Sequence, residues 1–293
     1  MAVATSTGNV GFYAVSQGKG LLELEHVRTL VVDAVALVLS LLWQPTRRHV
    51  LGVTLNDGRV LILHRKDPLW SAESEDDALQ KEEVHTHELE AWICTFLPST
   101  SPSPTLSSTK DDLTLLSGGD DMLLRCTHLT TQDSSPKPLW QDRKLHQAGI
   151  TYLLPLPVPD ASNLVISGSY DDHIRLLSLP SIGRRRVLAE LNLGGGVWRL
   201  KLLLPSSDGS VVLLASCMHA GSRIVKLVRE AEADLQASED AAWRFEVLGK
   251  FEEHQSMNYG SDAIQSADGH WRIVSTSFYD KLMCTWTWAE EDR

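Results

Sequence analysis

Short apolar runs alternate along this chain with clusters of Gly, Ser, Asp and Asn, and helical periodicity is weak throughout. The run Leu164–Ile166 meets Ser167, Gly168 and Ser169, then the acidic pair Asp171-Asp172, then a second apolar run that carries Arg175. Two short strands joined by such a turn predict a β-hairpin. The hairpin recurs. Residues 113–129 (LTLLSGGDDMLLRCTHL) repeat it, with Asp121 and Arg125 standing 50 residues before Asp171 and Arg175. Residues 49–65 place Asn56-Asp57-Gly58, a strong hairpin turn, between apolar runs. Residues 211–228 and 271–288 repeat the unit again, with His219 and Asp280 in the turn position.

A repeat of about 50 residues with three or four strands matches one blade of a β-propeller. The expected fold class is therefore all-β: a WD-repeat β-propeller of about five full blades, preceded by a partial blade over residues 1–30. A single domain over 1–293 is expected. Polar stretches near 71–83, 99–112 and 230–242 are expected as loop insertions. The apolar run from Leu30 to Trp43 contains Asp33 and is shorter than a membrane-spanning helix, so it reads as buried core.

Composition narrows the partners. The 293 residues carry 38 acidic and 27 basic side chains, a formal net charge of −11. That balance argues against non-specific nucleic-acid binding, which needs a basic footprint. Cys94, Cys126, Cys217 and Cys284 lie far apart without a CxxC pair, which argues against a zinc ribbon and fits a reducing compartment. No metal or cofactor is expected. The N-terminal residues show no basic region followed by an apolar stretch, so no secretory signal is read there.

Some residues look catalytic on paper. His87 with Asp121, His146 with Ser167 and Asp171, and His254 with Ser275, Asp280 and Trp286 have the types of a triad. Their recurrence in several blades favours an architectural role, in which an Asp in the turn pairs with a His at the blade entrance. Thr127 and Leu177 stand where a Trp is expected, which should weaken two of these networks.

The departures from the repeat carry more information. His219, beside Cys217 and Met218, replaces the turn Asp and is a candidate general base. The blade entrances and turns share one face of a propeller. That face would carry Glu90, Trp92, Trp198, Arg199, His219, Tyr259 and Asp262, a set suited to a ligand pocket. No G-x-S-x-G elbow, phosphate loop or metal-ligand spacing is present.

The segments EAWI (90–93), SGGDDMLLR (117–125), SGSYDDHIRL (167–176), GGGVWRLK (194–201), CMHAG (217–221), YGSD (259–262) and STSFYDKLMCTW (275–286) occur in this order. Together they resemble the diphthine methylesterase family, WD-repeat proteins of diphthamide biosynthesis. The resemblance implies hydrolysis of a methyl ester on the modified histidine of translation elongation factor 2. It also implies a cytoplasmic, eukaryotic protein; a monomer with no direct nucleic-acid binding and no membrane contact is expected beside it. Compared with that family, this chain is expected to begin inside a blade. The catalytic set expected here is His219 as base, Asp262 orienting it, and Tyr259 or Arg199 stabilising the oxyanion, with Glu90, Trp92 and Trp198 holding substrate. The rival expectation is a non-catalytic scaffold that binds the same elongation factor or a biosynthetic partner, because most propellers only bind.

Overall fold

Where apolar residues run uninterrupted, as in Leu213–Ala215 or Leu164–Ile166, the strands are buried on both faces. Where they alternate, as in Trp271–Ser277, one side chain in two is buried. These two patterns build a fold made entirely of strands. The computed structural model describes residues 1–18, 21–65, 70, 79–98, 112–130, 135–156, 164–205, 210–229 and 243–290. They form six antiparallel sheets that follow one another along the chain.

The chain divides into two compact units, residues 1–143 and 144–293, and each holds three sheets. In the first unit, sheet one is β1 (Ala2–Ala4), β2 (Asn9–Gln17) and β3 (Leu22–Val31). Sheet two is β4 (Val38–Gln44), β5 (Arg47–Leu55), β6 (Arg59–His64) and β7 (Gln80–Thr86). Sheet three is β8 (Ala91–Phe96), β9 (Leu113–Gly119), β10 (Leu124–Leu129) and β11 (Lys137–Asp142). In the second unit, sheet four is β12 (Ile150–Pro155), β13 (Leu164–Ser169), β14 (His173–Ser178) and β15 (Arg186–Asn192). Sheet five is β16 (Arg199–Pro205), β17 (Val211–Ser216), β18 (Ser222–Arg229) and β19 (Trp243–Phe251). Sheet six is β20 (Asn258–Gln265), β21 (Trp271–Ser277) and β22 (Met283–Trp288).

Each full sheet meanders in chain order, first strand beside second, second beside third, third beside fourth. That is the blade the repeat predicts. The count differs in one respect: sheet six has three strands, so four sheets are full blades rather than about five. Sheet one, also three-stranded, occupies the expected partial blade. Of the expected loops, 71–78, 99–111 and 230–242 lie outside the described residues, while Gln80–Glu83 belong to β7. The apolar run from Leu30 to Trp43 divides between the end of β3, a short loop and β4. Among the described residues no helix is long and apolar enough to cross a membrane.

Adjacent sheets within a unit bury their faces on each other. In the first, Val10, Phe12 and Leu30 pack with Leu51, Val53 and Leu63. In the second, Ile166, Ile174 and Leu176 pack with Leu213, Ala215 and Val225. Leu214 and Ile224 in turn pack with Trp271 and Ile273. Each such side chain contributes roughly 1.5–3 kcal/mol on leaving water. Cys94, Cys126 and Cys217 are buried thiols, and burial pushes those of Cys94 and Cys217 up to about 12. They pack as small hydrophobes.

Candidate functional site

The paper triads resolve into architecture. In sheet three, His87 Nδ1 lies 2.9 Å from Asp121 Oδ1 and its Nε2 lies 2.8 Å from Ser117 Oγ. His85 Nε2 lies 2.6 Å from the same hydroxyl, and its Nδ1 is 2.9 Å from Thr127 Oγ1. One proton assignment satisfies every member: Thr127 donates to His85, His85 to Ser117, Ser117 to His87, and His87 to Asp121. The assignment requires His85 to be neutral. Burial first, and then the neighbouring Arg125 guanidinium, push His85 down to about 3. Burial works against the Asp121 anion, but the His87 bond and charge and the N–H groups of Leu123 and Glu88 hold its carboxyl below the usual range. Thr127, expected to weaken this network, completes it through His85.

Sheets four and six keep the plan with different partners. His146 Nε2 lies 2.8 Å from Ser167 Oγ, while Asp171 accepts from Arg175 Nη1 at 2.9 Å and from the Gln147 N–H at 2.9 Å. His254 Nε2 lies 2.8 Å from Ser275 Oγ, Trp286 Nε1 donates to that oxygen at 3.2 Å, and Asp280 accepts from Ser277 and from the Gln255 N–H. In each case the Asp fixes the turn and the strand entrance rather than facing a cavity.

Sheet five breaks the plan in backbone as well as in sequence. In sheets three, four and six the residue after the turn Asp has positive φ: Met122 at 61°, Asp172 at 66°, Lys281 at 54°. In sheet five the positive values fall at Met218 (46°) and Gly221 (75°), on either side of His219. No His–Asp pair locks this turn. Gly195 packs against it instead, so closely that a Cβ there would stand 2.4 Å from the Cys217 carbonyl oxygen. Met218 pairs with Asn258 in an isolated antiparallel bridge, and the Asn258 N–H donates to the Met218 carbonyl at 2.9 Å. The turn is thereby tied to the first strand of sheet six. His219 is exposed and has no hydrogen-bond partner among the described residues.

Next to this turn the second unit holds a pocket of about 460 Å³, lined by Tyr152, Arg199, Lys201, Ser216, Tyr259 and Ser261 among others. The strand pleat explains the set: Arg199 and Lys201, like Tyr259 and Ser261, are two apart and share a face. Arg199 has no carboxylate partner among the described residues. Its Nη1 donates to the carbonyls of Trp198 at 2.9 Å and Thr151 at 3.3 Å, and its guanidinium lies over the rings of Trp198 and Tyr152, 4.8 Å and 5.7 Å from their centroids. Burial pulls its pKa below the usual guanidinium range, partly offset by the phenols of Tyr152 and Tyr170. Burial, with a smaller effect of Tyr279, raises the Tyr259 phenol, which keeps it a neutral donor. A desolvated cation held by carbonyls and ring faces, with no carboxylate among the described residues, is set to receive an acceptor of partial or full negative charge.

Of the expected catalytic set, Arg199 and Tyr259 meet in this pocket, with Trp198 beside them at 5.1 Å from the Tyr259 ring. Asp262 does not meet His219. It lies four residues along β20 from Asn258, roughly 13 Å at the strand rise, and forms an ion pair with Lys201. Burial disfavours its charge, but the Lys201 bond, the Ala263 N–H and the Lys201 charge hold its carboxyl below the usual range. Glu90 and Trp92 belong to the first unit, where the Glu90 carbonyl accepts from the Asp120 N–H and Trp92 Nε1 reaches Asp120 at 3.4 Å.

Sequence reasoning missed Tyr152, Lys201, Ser216 and Ser261. The last two join Ser222 and Asn258 in a polar cluster, with Ser216 Oγ donating to Ser261 Oγ at 2.9 Å. The signal was present in the period-two spacing from Arg199 and Tyr259. Among the described residues no group of His, Cys, Asp and Glu is arranged to hold a metal ion.

Six blade-like meanders, three of them with a His–Ser pair and a turn Asp, and a pocket at the strand entrances define the chain as a WD-type β-propeller. Solved propellers share the fold. A chain of the mitotic checkpoint complex superimposes with TM-score 0.59 at 17% identity, over 99% of this chain and 71% of that one. Chaetomium thermophilum Sqt1, bound to the N-terminus of ribosomal protein L10, gives 0.55 at 14% identity, over 99% and 71%.

The chain belongs to the diphthine methyltransferase family. It is 30% identical over 286 residues to the Schizosaccharomyces pombe protein of that name, covering 98% of this chain and 74% of that one. The Saccharomyces cerevisiae protein is 29% identical over 68% of this chain and 49% of its own. The human protein is 26% identical over 89% of this chain and 52% of its own, so the chain spans about half the length of these two relatives. No protein-family model matches the chain.

Proposed function

We propose that this protein is a carboxyl methyl-ester hydrolase that demethylates methylated diphthine on translation elongation factor 2. The observation that carries the reading is the Arg199–Tyr259 pair: a desolvated guanidinium without a carboxylate partner among the described residues, beside a neutral phenol, in a pocket of side-chain size. Membership of a family whose proteins are named for diphthine supplies the substrate.

The chemistry follows from the groups present. Water attacks the ester carbonyl carbon while His219 takes its proton. Arg199 and Tyr259 donate hydrogen bonds to the oxygen that becomes negative. Collapse of the tetrahedral species breaks the bond to the methoxy oxygen, His219 returns the proton, and methanol leaves. The carboxylate product then faces Arg199. Asp262 acts through Lys201, holding that ammonium at the pocket edge, rather than through His219.

The test is incubation of the purified chain with elongation factor 2 carrying methylated diphthine, followed by mass spectrometry. Loss of one methyl group, with methanol released, is expected. His219→Ala should slow it about a hundredfold or more while leaving the fold intact. Binding without methyl loss would establish the scaffold role in its place.

A further inference from the structure

Sheet six carries a feature the ester chemistry does not use. Its β21–β22 hairpin is one residue longer than its counterparts: five positions separate Ser275 from Asp280, against four from Ser167 to Asp171 and four from Ser117 to Asp121. The longer turn brings out Phe278 and Tyr279, which are 66% and 70% exposed. Two adjacent aromatic side chains in water are unfavourable for a fold on its own account and mark a binding surface.

They are not loosely placed. The Phe278 N–H donates to the Met257 carbonyl at 3.1 Å, and the Tyr279 N–H to Ser256 Oγ at 2.8 Å. Their rings meet edge-on, with centroids 5.2 Å apart. Phe278 continues to Tyr259 at 6.1 Å, Tyr259 to Trp198 at 5.1 Å, and Trp198 to Tyr170 at 5.7 Å. The neighbouring rings are tilted or edge-on, not stacked flat, which leaves faces open between them. Among the described residues no side-chain cation covers the rings of Tyr259, Phe278 or Tyr279. Arg199 lies over Trp198, at the far end of the series from Tyr279, and over Tyr152 beyond it. The chain as a whole carries a net charge of −11, which favours a cationic ligand.

From this series of rings we infer that the protein has an aromatic cage for a quaternary ammonium group, built by Trp198, Tyr259, Phe278 and Tyr279. Ring faces attract a diffuse cation through their quadrupole, and they suit an ammonium that has no N–H to donate. The inference rests on the diphthine reading for its occupant: the diphthine side chain holds a trimethylammonium and its carboxyl group on the same carbon. Tyr259 sits at the join, with Arg199 and the pocket to one side and the cage to the other. The cage would hold the ammonium while Arg199 receives the ester carbonyl.

The probe is choline, compared with its neutral isostere in which a tert-butyl group replaces the trimethylammonium, each titrated against the full chain by NMR. Choline is expected to shift the ring resonances of Trp198, Tyr259, Phe278 and Tyr279, with the isostere about tenfold weaker. A Phe278→Leu, Tyr279→Leu double variant keeps the apolar surface and should abolish that preference; both positions are exposed, so the fold should survive. Equal affinities, unshifted ring resonances, or an undiminished preference in the double variant would overturn the cage. Methyl loss from the elongation factor at full rate in the double variant would sink the cage and leave the esterase standing. A preference for choline without any methyl loss would do the reverse.

Discussion

The turns of sheets three and five occupy equivalent places in their blades and are built on opposite principles. In sheet three, Asp121 and His87 are almost wholly withdrawn from water, with side-chain exposures of 1% and 0%, and each is consumed by hydrogen bonds. In sheet five the turn is held by backbone, by glycine packing and by Arg223 on the Ala220 carbonyl, and His219, in the place of the turn Asp, stands in solvent. The first arrangement spends ionisable side chains on rigidity. The second obtains rigidity from main chain, glycine packing and the Arg223 guanidinium, which donates to the Ala220 carbonyl at 2.6 Å, and leaves His219 uncommitted. Residue types that look catalytic are thus a poor guide here, and the presence or absence of fixed partners is a better one.

The largest expected effect tests the locked side. Asp121→Ala removes the acceptor of His87 and of two backbone N–H groups, and should cost about 3–5 kcal/mol in urea unfolding. A loss below about 1 kcal/mol would show that the lock is ornamental. His219→Ala, which breaks no hydrogen bond, should stay within about 0.5 kcal/mol in the same experiment.

Next comes the open side. Arg199→Met should reduce kcat/KM for ester hydrolysis about a hundredfold. Because the guanidinium also stacks on Trp198, the stability of this variant should be measured alongside. An unchanged rate would remove Arg199 from the chemistry.

Gly195→Ala probes what replaced the lock. The new Cβ would collide with the Cys217 carbonyl and crowd Ala220, so a cost of about 2 kcal/mol is expected, with ester hydrolysis falling as the corner shifts. A neutral result would mean that the turn of sheet five is not braced by the glycine run.

The most gradual effect, small from one pH step to the next, is a pH dependence. His85 has its pKa lowered from 6.5 to about 3 in the folded chain. Between those values the unfolded chain binds the extra proton, so His85 makes stability rise with pH across that window, by at most about 1.4 kcal/mol per pH unit. Asp121 and Asp171, held below 3.8, contribute stability that is present above about pH 4 and lost as pH falls through their folded values. Burial also lowers His64 and His254, so unfolding free energies measured from pH 4.5 to 7 should slope upward in the native chain and less steeply in His85→Asn. Identical slopes would place His85 in water.

Much of the blade plan was legible from the chain alone, because each turn carries its own chemistry: Asn56-Asp57-Gly58, Asp121, Asp171 and Asp280 mark four hairpins by residue type and spacing. The anomaly at His219 was legible for the same reason. What could not be read was pairing across blades. Asp262 was assigned to His219 because both departed from the pattern, whereas strand direction carries it away to Lys201. Nor does sequence show that His85 can stand in for a missing Trp, since the exchange depends on Thr127 lying within reach of a strand 42 residues away.

The bridge between Met218 and Asn258 has a practical consequence. It fixes the separation between the His219 turn and the start of β20 by a hydrogen bond that no side chain supplies. Positions 219 and 259 are therefore mounted on a frame that substitution at either leaves in place. The corner is interchangeable tooling on a fixed jig: new acids, bases or metal-binding side chains could be installed there with the distance between their backbones already set.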